Sequence, residues 1–320
     1  MPHPVAQRRS GAGGAEPGHG SASPLSAIFR PGAGPAAPEA TRGNAVDTKE
    51  GHLEIINASK VYDPEGVNVL AVDNCSFEIQ AGEFVAIVGP SGCGKTTLLN
   101  MTAGFESISQ GEIRMDGNVI AAPGQPPRPG SDRVVVFQGG ALFDWMTVRQ
   151  NIMFGPLVTG SMTESEAGAR AMELIRMAGL KGYENAYPIH ISSGMKRRVE
   201  ILRALINEPK TLLLDEPYRA MDAITKSVMH QFLLDMFDRV HKTVLFITHD
   251  LDEAIYLSDK VGIMTTRPGR FKKWIHVDLP RPRTFRTKKL PEFLEYKRQT
   301  IEAVREEARK SFERGEREGA

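Results

Sequence analysis

The sequence predicts an α/β fold in which a largely parallel sheet carries helices on both faces. Three observations predict it. Short apolar runs, "FVAIVG", "RVVVFQ", "TLLLDEP", "TVLFITHD" and "KVGIMTT", have the length and composition of buried strands. Helical patterns separate several of them, the alternation expected when crossover helices join parallel strands. A Gly-rich loop stands between the first of these strands and the helical run "KTTLLNMTAGF". The chain has 320 residues, 41% hydrophobic and 25% charged, enough apolar material for a sizeable core.

In chain order, residues 1–50 read as a disordered tail. The stretch "GAGGAEPGHGSASPLSAIFRPGAGPAAPEA" is Gly, Ala, Pro and Ser, too little apolar surface to offset its ordering entropy. It has no apolar core of a secretory signal, and its Gly and Pro would break a targeting helix. Residues 51–280 read as one domain opened by the strands "LEIINASKVY" and "VNVLAVDNCSFEIQ". From Trp145 to Ile206 strand signals give way to helical ones ("TESEAGARAMELIRMAGL"), so an inserted helical subdomain is expected at about 145–206. Residues 281–320 form a C-terminal helical extension. Its apolar residues Leu294, Ile301, Val304, Ala308 and Phe312 fall at helical spacing opposite a charged face, as in a solvated helix packed on its own domain.

Composition narrows the function. Cys75 and Cys93 are the only cysteines, which argues against a disulfide framework and for a reducing compartment. A net charge of +1 gives no general field for nucleic acid or an anionic membrane. No apolar run approaches the about 18 residues of a spanning helix. Any membrane crossing would fall to another chain.

The chemistry starts at "GPSGCGKTT", Gly89, Pro90, Ser91, Gly92, Cys93, Gly94, Lys95, Thr96 and Thr97. It fits G-x-x-x-x-G-K-S/T between a strand and a helix, the context that separates a phosphate loop from a chance Gly-rich turn. Glycines let backbone N–H groups turn inward onto phosphate oxygens, and the helix start adds its positive end. Lys95 then reaches the β and γ phosphates, and the Thr96 hydroxyl is placed for Mg²⁺. Cys93 reads first as merely small, with nearby N–H groups and Lys95 expected to depress its thiol pKa.

Asp215 ends the apolar run "TLLLD", where ligands sit in such sheets, and is a candidate Mg²⁺ ligand. Glu216 follows as the candidate group that polarises an attacking water. Two acids after a strand say little alone; beside a phosphate loop they complete a nucleotide site. His249 in "FITHD" and Gln138 closing "VVVFQ" end two more strands. The histidine can touch a γ phosphate or water, and the amide can join Mg²⁺ or water. A lone histidine there is more often structural. Tyr62, in "SKVYDPEG", can stack on a purine, though an exposed turn aromatic reads nearly as well.

In this order the pieces resemble the ATP-binding subunit of ABC transporters, over roughly residues 53–280. Gly89–Thr97 resemble Walker A, Leu212–Glu216 Walker B, Gln138 the Q-loop, "YRAMDA" the D-loop, His249 the switch histidine and Tyr62 the adenine-stacking aromatic. The stretch "HISSGMKRRVEILRAL" resembles the signature, with Ser193 where the family has glycine. The resemblance implies a P-loop NTPase of the ABC-cassette type, with a mostly parallel core sheet, an antiparallel β subdomain and an inserted helical subdomain. It implies ATP and Mg²⁺ as cofactors and head-to-tail pairing with a second cassette, a copy of the same chain or a different one. Ser192 and Gly194 of one cassette would then close over ATP held by the other.

The partners implied are membrane permease subunits, met through the helical subdomain and the loop of Gln138 and Trp145, with an extracytoplasmic solute-binding protein acting indirectly. The chain would sit peripherally on the cytoplasmic face of the inner membrane and bind no nucleic acid. "FQGGALFDWMTVRQNI", the methionine in the signature and "LPRPR" resemble importers of nitrate, sulfonates and taurine. Two alternatives are a soluble ABC ATPase acting on nucleic acid or ribosomes, and a weakly hydrolysing regulatory cassette. A single cassette without a heptad insertion counts against the first. Ser193 is the support for the second, with Asp144, Glu200, Leu202 and Arg219 as further departures from the family pattern.

Overall fold

The computed structural model describes residues 50–63, 66–219 and 221–313, without the side chains of 311–313. The tail expected at residues 1–50 lies, except for Glu50, outside the described residues.

Two sheets organise the domain. The first is antiparallel, in the order β2-β1-β4-β5, from β1 (Leu53–Tyr62), β2 (Val69–Ile79), β4 (Gln110–Met115) and β5 (Asn118–Ala121). The second has the order β10-β9-β3-β8-β7-β6. In it β3 (Phe84–Val88), β6 (Arg133–Val136), β7 (Thr211–Asp215), β8 (Thr243–Ile247) and β9 (Lys260–Met264) run parallel. The antiparallel β10 (Phe271–His276) closes one edge. Every residue of β3, β7 and β8 is buried. A strand covered on both faces must be apolar throughout, hence the continuous runs in the sequence.

Helix α1 (Lys95–Ala103) packs between the two sheets in one core cluster with Leu98, Leu99 and Ile247. The other cluster lies on the opposite face and joins Phe84 and Phe246 to the helices. Helices α2 (Val148–Thr159), α3 (Glu164–Met177) and α4 (Ser193–Leu205) build the inserted subdomain. Thr147 and Thr163 open the first two with reciprocal capping boxes, satisfying N–H groups that the helix start leaves free. Helices α5 (Ala223–Val240) and α6 (Leu251–Leu257) return to the sheet. Among the described residues no helix is long and apolar enough to cross a membrane.

Helix α7 (Pro291–Glu313) corrects one reading. Its packed face carries Phe293, Thr300, Ala303 and Glu307, whereas Leu294, Ile301 and Ala308 are exposed. Val304 is half-buried, and the Phe312 side chain lies outside the description. The ion pair of Lys272 with Glu307, 2.9 Å, and the Thr266 N–H donating to Glu307 turn the helix this way. Phe293 and Ala303, in the core cluster with Val304 and Tyr296 packed against it, and these polar anchors set the face together. The helix belongs to the same compact unit, Thr48–Ala320, as the sheets.

Candidate nucleotide site

The carboxyl ends of β3, β7 and β8 meet at one edge of the parallel sheet. The loop from Gly89 to Gly94 leaves β3 there. Gly94 has φ +95°, and a Cβ on it would lie 2.8 Å from the Ala71 carbonyl oxygen, so only glycine fits. Gly94 is also the N-cap of α1 and supplies no side-chain cap, which leaves N–H groups at the helix start open to an anion. Lys95 is 6% exposed. Its Nζ donates to the carbonyls of Gly89 (2.9 Å) and Pro90 (2.8 Å), and no carboxylate among the described residues pairs with it. A buried ammonium held by neutral groups leaves a positive charge to be balanced, as a phosphate would do.

Cys93 departs from expectation. It is 1% exposed, and its sulfur lies 3.7 Å from Lys95 Nζ. Burial pushes the thiol pKa up, and this outweighs the pull of Lys95. The residue is packing: its sulfur would stand 2.9 Å from a Cβ on Gly89, so the small partner is required opposite it.

Thr96 Oγ1 donates to Asp215 Oδ1 at 3.3 Å. Burial raises the Asp215 pKa, only partly offset by the hydrogen bond from Thr96, and the Glu216 charge adds to the rise. A hydroxyl and a carboxylate are hard oxygen donors of the kind Mg²⁺ takes, so this pair fits the ion. Gln138, expected to join it, is exposed two residues beyond β6. With its amide oxygen turned to satisfy its neighbours, it accepts from Arg219 Nε (3.2 Å) and Nη1 (2.9 Å), not from the Thr96–Asp215 pair.

Glu216 adopts φ +40°, rare for a residue with a side chain, and its N–H donates to the Ile247 carbonyl at 2.9 Å. This twist directs the carboxylate to His249 Nδ1, 3.3 Å away, and to Arg219 Nη1, 3.2 Å away. The His249 segment is fixed from below. Thr248 Oγ1 donates to Glu253 Oε2 (2.7 Å), and Asp250 caps α6. Lys226 pairs with Asp250 and Glu253, and His230 Nε2 lies 3.3 Å from Glu253 Oε1. These partners are not among the residues that the sequence motifs mark. The signal was an Asp N-cap with Glu three residues later, just after the histidine.

A cleft of about 280 Å³ joins the pieces: Tyr62, Ser91, Lys95, Thr97, Gln138 and Glu216 all line it. Tyr62 ends β1 at its rim, with the Lys60 ammonium 4.8 Å from its ring centroid. Arg219, from the stretch that resembles the D-loop, and Arg267, which no motif marks, line it too.

A family model described as ABC transporter matches residues 72–219. An ABC transporter ATP-binding protein of Methanocaldococcus jannaschii is 42% identical over 81% of this chain and 94% of its own length. The chain belongs to the ABC transporter ATP-binding subunits. It is also similar to a nitrate import ATP-binding protein of Synechocystis sp., 40% identical over 77% of this chain and 92% of that one. An aliphatic sulfonates import ATP-binding protein of Bacillus cereus is 36% identical over 82% and 96%. Among solved structures, a dimeric ATP-binding cassette in a post-hydrolysis state with ADP and phosphate matches with TM-score 0.60 and 29% identity, over 70% of this chain and 98% of that one.

The signature of this ABC cassette stands apart from the cleft: Ser192 and Gly194 are not among its lining residues. Ser192 is the N-cap of α4 and accepts from the Met195 N–H at 3.3 Å. Gly194 is buried, and a Cβ there would come within 3.1 Å of Thr225 Cγ2. Ser193 is exposed at the first position of α4, so its hydroxymethyl meets solvent rather than the helix packing. Glu200 is 7% exposed and has a place in the interior. It pairs with Arg197, and its Oε1 accepts from the Ala141 N–H at 3.1 Å while Arg197 donates to the Phe137 carbonyl at 2.7 Å. The signature helix of the cassette is thereby tied to both flanks of Gln138.

Proposed function

We propose that this ABC ATPase is the energising subunit of an importer for a small anion of the nitrate, sulfonate or taurine kind. The observation that carries the reading is Lys95, a buried ammonium without a carboxylate partner at an uncapped helix start, sharing one cleft with Glu216 and with Thr96, whose hydroxyl bonds Asp215. Names of relatives that import nitrate and sulfonates support the substrate class.

In this reading the loop from Gly89 to Thr97 wraps the triphosphate, and Tyr62 takes the adenine. Mg²⁺, held by Thr96 and Asp215, would neutralise phosphate charge. Glu216 accepts a hydrogen bond from the attacking water, and His249 and Gln138 orient water and γ phosphate around it. Ser192 and Gly194, remote from their own cleft, serve the nucleotide of a second cassette, for which a copy of this chain is the simplest partner. The apolar cleft of about 260 Å³ beside α4, lined by Phe137, Phe143, Phe154 and Arg203, suits a permease segment. Trp145, 72% exposed, adds to that surface. The chain would then work peripherally at the cytoplasmic face of the inner membrane, a solute-binding protein feeding the permease from outside.

The regulatory alternative turns on Ser193. Because the side chain faces solvent and the cap is Ser192, Ser193→Gly should change the ATPase rate of the full chain by no more than about twofold, as exposed substitutions away from special contacts stay within about 0.5 kcal/mol. Rates measured over a range of protein concentration should rise per chain as cassettes pair. A gain of about tenfold on adding glycine would make the natural signature a brake, since misplacement near a reacting phosphate costs up to about a hundredfold.

A further inference from the structure

Tyr218 and Arg219 leave the turn after β7 in opposite directions. Tyr218 is fully buried, its ring 5.2 Å from that of His230 and 6.1 Å from that of Phe246. Its anchoring sends the next side chain outward. The Arg219 N–H donates to the Glu216 carbonyl at 3.2 Å, which folds the turn back on itself and lays the guanidinium over Glu216. Nη1 reaches Glu216 Oε2 at 3.2 Å, and the Gln138 amide, in the orientation that its donor neighbours require, turns its oxygen to accept from Nε at 3.2 Å and Nη1 at 2.9 Å. One planar fork thus joins the two residues, Glu216 after β7 and Gln138 after β6. A lysine, with a single point charge, cannot span both in this way.

Both ends of this bridge are anchored. Gln138 sits on a loop tied to α4 at Phe137 and Ala141. Glu216 is held by the Ile247 carbonyl, and the oxygen that Arg219 engages also faces His249. Sharing Oε2 between a guanidinium and an imidazole fixes the orientation of the carboxylate and leaves Oε1 as the oxygen with open capacity for water. We infer that Arg219 is a positioning residue that restrains Glu216 and Gln138 against each other, so that the carboxylate turns to water and accepts from it more strongly when the guanidinium lets go. This rests on the hydrolytic reading of the site.

The test compares the full chain with its Arg219→Ala and Arg219→Lys variants. At saturating ATP, Arg219→Ala should raise kcat by about twofold to fivefold, the range a partly exposed ion pair can restrain, with KM within about twofold. Arg219→Lys should fall between wild type and Arg219→Ala. Hydrogen exchange of the amides of 138–140 should be faster in Arg219→Ala, a readout independent of turnover. Unchanged exchange, or a kcat that is unchanged or lower, overturns the inference; a lower kcat would make Arg219 a group that supports the reaction. Glu216→Gln in the same assay separates the two levels. If it hydrolyses like wild type, the reading of the site fails. If it is inactive while Arg219→Ala behaves as wild type, only the restraint fails.

Discussion

Glu216→Gln is expected to bind ATP like the wild type and to lose about a hundredfold to ten-thousandfold in kcat, the range a positioned general base contributes. The substitution keeps the side-chain shape, and the N–H bond to Ile247 that sets the unusual φ is untouched. What it removes is charge. The amide no longer pairs with His249 and Arg219 and draws far less of the proton from water. Lys95, Thr96 and the loop glycines are undisturbed, so affinity stays. Binding of ATP and single-turnover hydrolysis, measured on the same preparation, check both halves. Hydrolysis at the wild-type rate would remove Glu216 from its role.

The second large effect lies beneath the site. Glu253→Ala strips the shared partner from Lys226 and His230, the latter 2% exposed. Breaking a buried charged network from one side costs about 3–5 kcal/mol, which corresponds to a fall in Tm of roughly 10 °C for a domain of this size. The Thr248 hydroxyl also loses its acceptor, so the His249 segment loosens and hydrolysis should fall with stability. Glu253→Gln, which keeps an acceptor for Thr248, should lose less. Burial pushes the Glu253 pKa up, but the close approach of His230 and the hydrogen bond from Thr248 outweigh it, and the folded-state pKa lies below the usual value. A depressed carboxyl stabilises above its unfolded pKa, about 4.3 for Glu, and that contribution fades as pH falls from there through the folded pKa. Thermal unfolding followed from neutral pH down to about 3 should therefore show the wild type converging on Glu253→Gln at the acid end. A constant gap across that range would contradict this.

The strands most legible in the sequence are those covered on both faces and the long, β-branched β1 and β2. β3, β7 and β8 are covered on both faces, so their composition alone declares them. β4 is a half-polar member and β5 a four-residue edge strand of an antiparallel sheet, and β10 is an edge strand with two lysines in six residues. Their pairing comes from partners distant in the chain, and no local period announces it. The candidate site divides the same way. The phosphate loop is contiguous and was readable letter by letter. The small size of Cys93 fits its packed position, but the direction of its thiol pKa is not legible, because neighbours in sequence show the favourable charge of Lys95 and not the desolvation. Glu253 with His230, Glu200 with Ala141, and Arg219 with Gln138 are contacts made by folding, and sequence gave Glu200 and Arg219 only as departures from a pattern.

The most direct measurement is solute uptake into vesicles carrying this chain with its permease, with ATP supplied only on the side where the cassettes face. The account predicts that wild-type chains drive accumulation of nitrate or a small sulfonate at the expense of ATP, and that Glu216→Gln chains, equally well assembled, drive none. Accumulation that persists with Glu216→Gln, or ATP turnover by the assembled wild type that moves no anion of this kind, would contradict it.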